Sequence, residues 1–142
     1  MKIISHRGNL IGKNIDLENQ KDYIQNALNN GFEVECDIRL INNKFFLGHD
    51  FPQYEIELEW LLERKNKLWI HCKNLECAEE LIDKDFNFFW HQNDDFTITS
   101  KGVLWCNNNI FSRKGITVVL KYFDIKNNTL GICTDEPLKF IK

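Results

Sequence analysis

Glu35 and Asp37 stand one residue apart in the run FEVECDIRL, Phe32 to Leu40, with Val34, Cys36, Ile38 and Leu40 alternating around them. That alternation reads as a strand with one apolar face and a second face carrying Glu33, Glu35, Asp37 and Arg39. In LWIHCK the same period places His71 and Lys73 on one face and Cys72 on the other. If the cysteines face outward, then Glu35, Asp37, His71 and Lys73 share one interior, and such a cluster is costly to bury without a counter-charge. ISHRGN adds His6, Arg7 and Gly8 directly after the first strand-like run. Arginine there offers a planar fork for phosphate or carboxylate, and glycine permits close backbone approach. All four histidines, His6, His49, His71 and His91, fall in or just past strand-like runs, which points to one shared rim. Singly, each feature has a plainer reading: Glu-x-Asp suits a solvated sheet face, and a histidine beside Trp90 suits a structural role.

Strand-like and helix-like runs alternate through the first half of the chain. Lys2 to Ser5 is a predicted strand, and Asn19 to Asn29 a predicted helix with Tyr23, Ile24, Ala27 and Leu28 on one stripe and Gly31 as its stop. The Phe32–Leu40 strand turns at Asn42-Asn43 into a return strand, Lys44 to Leu47. A second helix is predicted over Glu57 to Lys65, with Leu58, Leu61 and Leu62 inward. Asn74 caps a third, with Leu75, Ala78, Leu81 and Ile82 at helical spacing. FNFFWH, GVLWC, GITVVLKY and LGICTD then follow as strands with little room for helices between them. Strands separated by helices imply a parallel sheet with right-handed crossovers.

At 142 residues with 43% apolar content the chain reads as one domain, 1–142, large enough for a core. A net charge of -3, a pI near 5.8 and no basic cluster argue against a nucleic-acid partner. No run approaches the roughly 20 apolar residues of a membrane span, and the start MKIISHRGN is too short in apolar residues for a signal peptide, so a cytoplasmic location is expected. Five cysteines without a C-x-x-C pair read as buried small hydrophobes rather than a disulfide framework or zinc site.

ISHRGN, LEN at Leu17 to Asn19, VECDIRL followed by a hairpin and GHD, and GICTDEP near the end together resemble the glycerophosphodiester phosphodiesterase family. Members of that family show a His-Arg-Gly turn, a Glu-Asn pair opening the first helix, Glu-x-Asp, His-Asp and a Gly-Ile-x-Thr-Asp-x-Pro last strand. The resemblance implies that His6 and His49 are the general acid and base of phosphodiester cleavage and that Arg7 holds a non-bridging phosphate oxygen. It further implies that Glu35 and Asp37 bind a divalent ion, Mg²⁺ or Ca²⁺, whose charge would explain two inward carboxylates. Lys73 would add charge stabilisation beside the phosphate.

Two departures qualify what the resemblance implies. The family's third-strand Glu-x-Lys is His71-Cys72-Lys73 here, so His71 would be the remaining metal ligand, favouring Mn²⁺ or Zn²⁺, or a third acid/base group, or the metal site is weakened or lost. The chain is also short for the family's barrel, so the expected fold is α/β, a reduced TIM-type barrel with short or missing outer helices in its C-terminal half. A homodimer would cover the sheet surface that missing helices expose. Glu18, Trp90, His91, Trp105 and Asp135 are candidate linings of a substrate pocket. The expected activity is metal-dependent hydrolysis of a small-molecule glycerophosphodiester or polyol or sugar phosphodiester. A phosphate-binding module without turnover, and a lyase forming a cyclic phosphate, are the alternatives.

Overall fold

A computed structural model describes residues 1–141 of the chain. Among these, ten strands and three α-helices follow one another as β1 (Lys2–His6), α1 (Lys21–Asn29), β2 (Glu33–Ile41), β3 (Lys44–Leu47), β4 (Tyr54–Ile56), α2 (Leu58–Arg64), β5 (Leu68–Cys72), α3 (Leu75–Leu81), β6 (Asn87–Phe89), β7 (Phe96–Ile98), β8 (Leu104–Cys106), β9 (Gly115–Val118) and β10 (Gly131–Thr134). Seven strands run parallel in the order β6-β5-β2-β1-β10-β9-β8. β2 is the longest and serves three neighbours: β1 beside Glu33 to Glu35, β5 on its other side, and β3 antiparallel beyond the end of β1. β4 pairs antiparallel with β3, and β7 with β8.

The expected reduced TIM-type barrel is not what forms. The sheet is mixed and curls into a half-barrel, with no ladder joining β6 to β8, and all three helices lie before β6. An alternating β/α barrel needs a crossover helix after each strand. Past β8 the connections are rich in asparagine, and Asn108 and Asn109 adopt left-handed turns, so no apolar helical stripe is present to build one.

Curling divides the apolar residues into two cores. Val34, Cys36, Ile38 and Ile70 on the outer face meet Ile24 and Ala27 of α1, Leu61 of α2 and Leu81 of α3. On the concave face Ile4, Trp69, Phe89, Trp105, Ile116 and Cys133 fill the interior. Cys36 and Cys72 thus face the helices as expected, and all five cysteines are free and buried. The helical stripes depart in detail: Leu62, Leu75 and Ile82 are exposed, and Trp60 and Cys77 are buried in their stead. The Asn74 side chain does cap α3, accepting from the Cys77 amide at 3.2 Å.

Outside β9 and β10 the missing helices are replaced by the chain itself. The Thr117 hydroxyl donates to the Ile110 carbonyl at 2.8 Å, and that of Thr129 lies 3.0 Å from the Gly115 and Gly131 carbonyls. Ile132 and Thr134 are fully buried, while Leu120, Tyr122, Phe123 and Leu130 nearby stay exposed. No helix among the described residues is long and apolar enough to cross a membrane.

Candidate functional site

Parallel strands leave their C-terminal ends on one rim, and the polar residues gather there. β1 ends at His6, and the chain turns at once through Arg7 (φ 57°) and Gly8 (φ 88°). A Cβ on Gly8 would stand 2.9 Å from the Tyr23 ring and 3.0 Å from its backbone carbon, so only glycine fits between this turn and α1. The left-handed Arg7 is held from both sides: its amide donates to the Glu35 carbonyl at 2.8 Å, and its carbonyl accepts from the Asn19 amide at 3.0 Å.

From that turn the Arg7 guanidinium reaches Asp37, Nε to Oδ2 at 2.9 Å, and Glu18, Nη1 to Oε1 at 3.2 Å. Asn19 donates to Asp37 Oδ2 at 2.9 Å and accepts from the Asp37 amide. Lys73 Nζ stands 3.9 Å from Asp37 Oδ1. His6 Nδ1 donates to Asp135 Oδ1 at 2.7 Å, while its Nε2 lies 3.7 Å from Glu35 Oε2. Asn9, fully buried, donates to both Glu18 and Asp135. His49 lies across the mouth, its Nδ1 2.7 Å from Asp50 Oδ1. Arg39 holds the turn carrying it by donating to the Gly48 and His49 carbonyls at 3.2 and 2.8 Å. Glu33 belongs to the opposite end of the sheet, where it pairs with Lys2 and accepts from the Trp69 indole.

Four carboxylates, Glu18, Glu35, Asp37 and Asp135, are therefore buried around two permanent cations, Arg7 and Lys73. The imbalance shows in their protonation. Burial and the Asp37 charge push the Glu35 carboxyl up to about 7, against the pull of His6, Arg7 and His71. Burial opposes ionisation of Asp37 too, but contacts to His71, Arg7 and Asn19 outweigh it and hold that carboxyl far below the ordinary range. Asp135 is likewise held down by His6 and Asn9 against its burial. Burial would lower His6, yet the Asp135 hydrogen bond and the Glu35 charge raise it overall. His49 goes the other way, lowered by burial and then by the Arg7 charge.

Glu35, Asp37 and His71 each offer one ligand atom within 4.8 Å of the others. Glu35 Oε2 and Asp37 Oδ1 are buried without a well-formed hydrogen bond, with His6 Nε2 3.7 Å from the first and His71 Nδ1 and Lys73 Nζ 3.2 and 3.9 Å from the second, which leaves lone pairs for a cation. His71 supports this. Its Nδ1 lies 3.2 Å from Asp37 Oδ1 and its Nε2 3.3 Å from the His91 carbonyl: with the proton on Nδ1 it donates to Asp37, and with the proton on Nε2 it leaves Nδ1 free as a ligand atom. The second arrangement leaves Nδ1 and Asp37 Oδ1 as neighbouring acceptors that a metal ion would reconcile. The donor set of two carboxylates and one imidazole, oriented by a backbone carbonyl behind the ring, fits a divalent cation.

Two connected hollows open over these groups and share His6, Arg7, His49 and Leu120. The inner one, about 180 Å³, is walled by Phe89, Trp105, His91 and Asn107 and reaches Glu35 and His71. The outer, about 390 Å³, runs past Glu18 and Asp135 toward Lys13, Ile15 and Phe51. Most of the expected site residues come together in this way: His6, Arg7, Glu18, Glu35, His49, His71, His91, Trp105 and Asp135 line one hollow or both, and Asp37 lies beneath. Lys73 touches the site only through Asp37, and Trp90, half exposed, lines neither hollow. Asn9 and Phe89 were not foreseen. Phe89 stacks between Trp105 at 4.3 Å and His71 at 5.1 Å, and only folding brings those rings together.

No protein-family model matches the chain, and no solved structure matches it. GTPase Era of Mycoplasma genitalium is 31% identical over 96 residues, covering 65% of this chain and 33% of that protein, so the chain spans about a third of the length of this curated relative. The phosphate-cradling run Gly-x-x-x-x-Gly-Lys-Ser/Thr of P-loop proteins occurs nowhere in the 142 residues.

Proposed function

We propose that the chain is a metal-dependent phosphodiester hydrolase, acting on a glycerophosphodiester or a polyol or sugar phosphodiester. The observation that carries this reading is the convergence of His6, Arg7 and His49 on one mouth above the buried carboxylates of Glu35 and Asp37. With more buried carboxylates than fixed cations, the site repels an anionic ligand until a cation joins it, and Glu35, Asp37 and His71 are placed to hold one. Mg²⁺ or Ca²⁺ suits the two carboxylates; Mn²⁺ or Zn²⁺ suits the set once His71 is a ligand. The bound ion would supply positive charge to the non-bridging phosphate oxygens as charge builds there.

The residues of the chain would do the rest. Arg7, anchored on Glu18 and Asp37, presents its fork to a phosphate oxygen at a fixed orientation. His6 is enclosed and backed by Asp135, which orients it to protonate the leaving alkoxide. His49 is more open, with 42% of its side chain accessible, and is placed to take a proton from attacking water. A free-thiol chain of this kind suits a reducing compartment, and we place it in the cytoplasm. A homodimer covering the apolar side chains exposed about β9 and β10, Leu120 and Leu130 among them, belongs to this proposal.

Turnover of bis(4-nitrophenyl) phosphate and of glycerophosphodiesters, measured with EDTA and then with each ion restored, tests the reading. Activity lost to EDTA and restored by one ion is expected. Folded protein without turnover under any ion would refute it.

A further inference from the structure

Asn9 directly follows the His6-Arg7-Gly8 turn and is fully buried. It lines neither hollow, and its side chain bonds neither His6 nor Arg7. Both ends of its side-chain amide are nevertheless used. Nδ2 donates to Glu18 Oε2 at 3.1 Å and to Asp135 Oδ1 at 2.8 Å, while Oδ1 accepts from the Tyr23 hydroxyl at 3.1 Å and from the Asn14 amide at 3.2 Å. A backbone N–H only donates and an ionised carboxylate only accepts, so these partners fix which end of the amide points where.

The two carboxylates that Asn9 holds are those behind the reactive groups. Glu18 reaches Arg7 with its other oxygen, Oε1 to Nη1 at 3.2 Å, and Asp135 reaches His6 Nδ1 at 2.7 Å. One bonded path therefore runs from His6 through Asp135, Asn9 and Glu18 to Arg7. Two buried carboxylates turned toward one neutral side chain need a donor each, and the Asn9 NH2 group supplies both.

We propose that Asn9 is a positioning residue for the phosphodiester reaction: by bridging Asp135 and Glu18 it holds the proton donor His6 and the phosphate fork Arg7 in fixed relation to each other. This rests on the hydrolase reading above and adds to it a residue that touches no substrate. Asn9 also closes its own loop, through the Asn14 amide and the Tyr23 hydroxyl. Asn9→Asp separates the two roles. It keeps the shape and an oxygen for Asn14 and Tyr23, and it turns an acceptor, in place of the NH2 group, toward Glu18 and Asp135.

The whole chain and its Asn9→Asp variant are compared on two substrates with the same divalent ion present. A glycerophosphodiester releases an alkoxide that must be protonated, whereas bis(4-nitrophenyl) phosphate releases a phenolate that leaves unaided. The variant is expected to lose about 10²-fold in kcat on the first, as misplacing a general acid does. On the second, where the hold on Arg7 alone counts, the expected loss is about tenfold, that of one hydrogen bond to a charged group. The neutral His6 ring, read by nitrogen NMR shifts, is expected to carry its proton on Nδ1 in the wild type and on either nitrogen in the variant. Equal losses on the two substrates, no loss, or an unchanged tautomer would overturn the assignment. Where Asn9→Asp does not fold, Glu18→Gln decides, since Glu18 bonds Arg7 and Asn9 but not His6. A larger loss on the glycerophosphodiester than on the nitrophenyl ester then upholds the bridge, and equal losses overturn it. A wild-type chain that cleaves neither substrate refutes the hydrolase, and the tautomer then decides alone whether Asn9 sets His6.

Discussion

β2 and β5 are backed by α1, α2 and α3 through a continuous aliphatic core; β9 and β10 are backed by loops tied down through threonine hydroxyls. The reactive groups follow the same division. Arg7, Glu35, Asp37, His71 and Lys73 all sit on or beside helix-backed strands, whereas the other half supplies Trp105 and Asn107 as wall opposite Phe89 of β6, with Asp135 as its one charged contribution. A group that must hold a charge or pass a proton needs fixed geometry, and helices packed behind a strand provide it. A wall needs only bulk and shape.

The sharpest way to break that division is to remove histidines from each side. His6→Ala and His49→Ala are each expected to lower kcat by about 10²–10⁴ with folding retained, as loss of a general acid or base does. His91→Ala removes a ring that stacks on His71 at 4.5 Å, but the backbone carbonyl that orients His71 stays. It should therefore move KM more than kcat. Comparable losses of kcat for all three would erase the distinction between machinery and wall.

Two glycines test it through stability. Gly8 and Gly102 both have positive φ, yet a Cβ on Gly8 meets α1, and one on Gly102 meets nothing within 4 Å. Gly8→Ala combines left-handed strain with overpacking and is expected to cost about 2–5 kcal/mol, against about 1–2 kcal/mol for Gly102→Ala, in urea unfolding. Equal costs would mean that the first turn is not held as tightly as its contacts imply.

A divalent cation added to the metal-free chain should raise Tm by several degrees, since a ligand at about 100 times its Kd contributes about 2.7 kcal/mol. Glu35→Gln should abolish that response and, by removing one of two adjacent buried charges, raise the Tm of the metal-free chain. A cation response unchanged in Glu35→Gln would place the ion elsewhere.

Much of the helix-backed half was legible in the sequence because its signals are local. Asn42-Asn43 marks the hairpin, both residues with positive φ; Asn74 caps α3; and the alternation in VECDI separates core from site. β4 and β7 were not legible. Three residues carry no period, and Tyr54–Ile56 and Phe96–Ile98 become strands only by pairing with Phe45 to Leu47 and Leu104 to Cys106. Closure was misread for a related reason: counting strands says nothing of which edges meet, and β6 and β8 do not. Asn9 was missed since an asparagine after a glycine reads as a turn. Its role in joining Glu18 to an Asp135 that lies 126 residues further along the sequence from Asn9 exists only in the folded chain.

The smallest expected effect concerns His49, whose environment lowers its pKa through burial and the Arg7 charge. A histidine so lowered keeps its unprotonated, base-competent form at pH values where an ordinary one is already charged. The acid limb of kcat against pH should therefore lie below the usual histidine range near 6.5. Asp50 opposes that lowering by accepting from Nδ1, so Asp50→Asn should move the limb slightly further down. The same substitution should reduce kcat only modestly, because Asp50 is exposed and solvent screens its charge. His6 is bonded instead to the buried Asp135, and Asp135→Asn should cost far more. That contrast carries the division between the two kinds of support down to single residues: a histidine braced from the interior depends on its brace, and one braced from solvent barely does. Similar losses from the two asparagine variants would show that His49 relies on Asp50 as strictly as His6 does on Asp135.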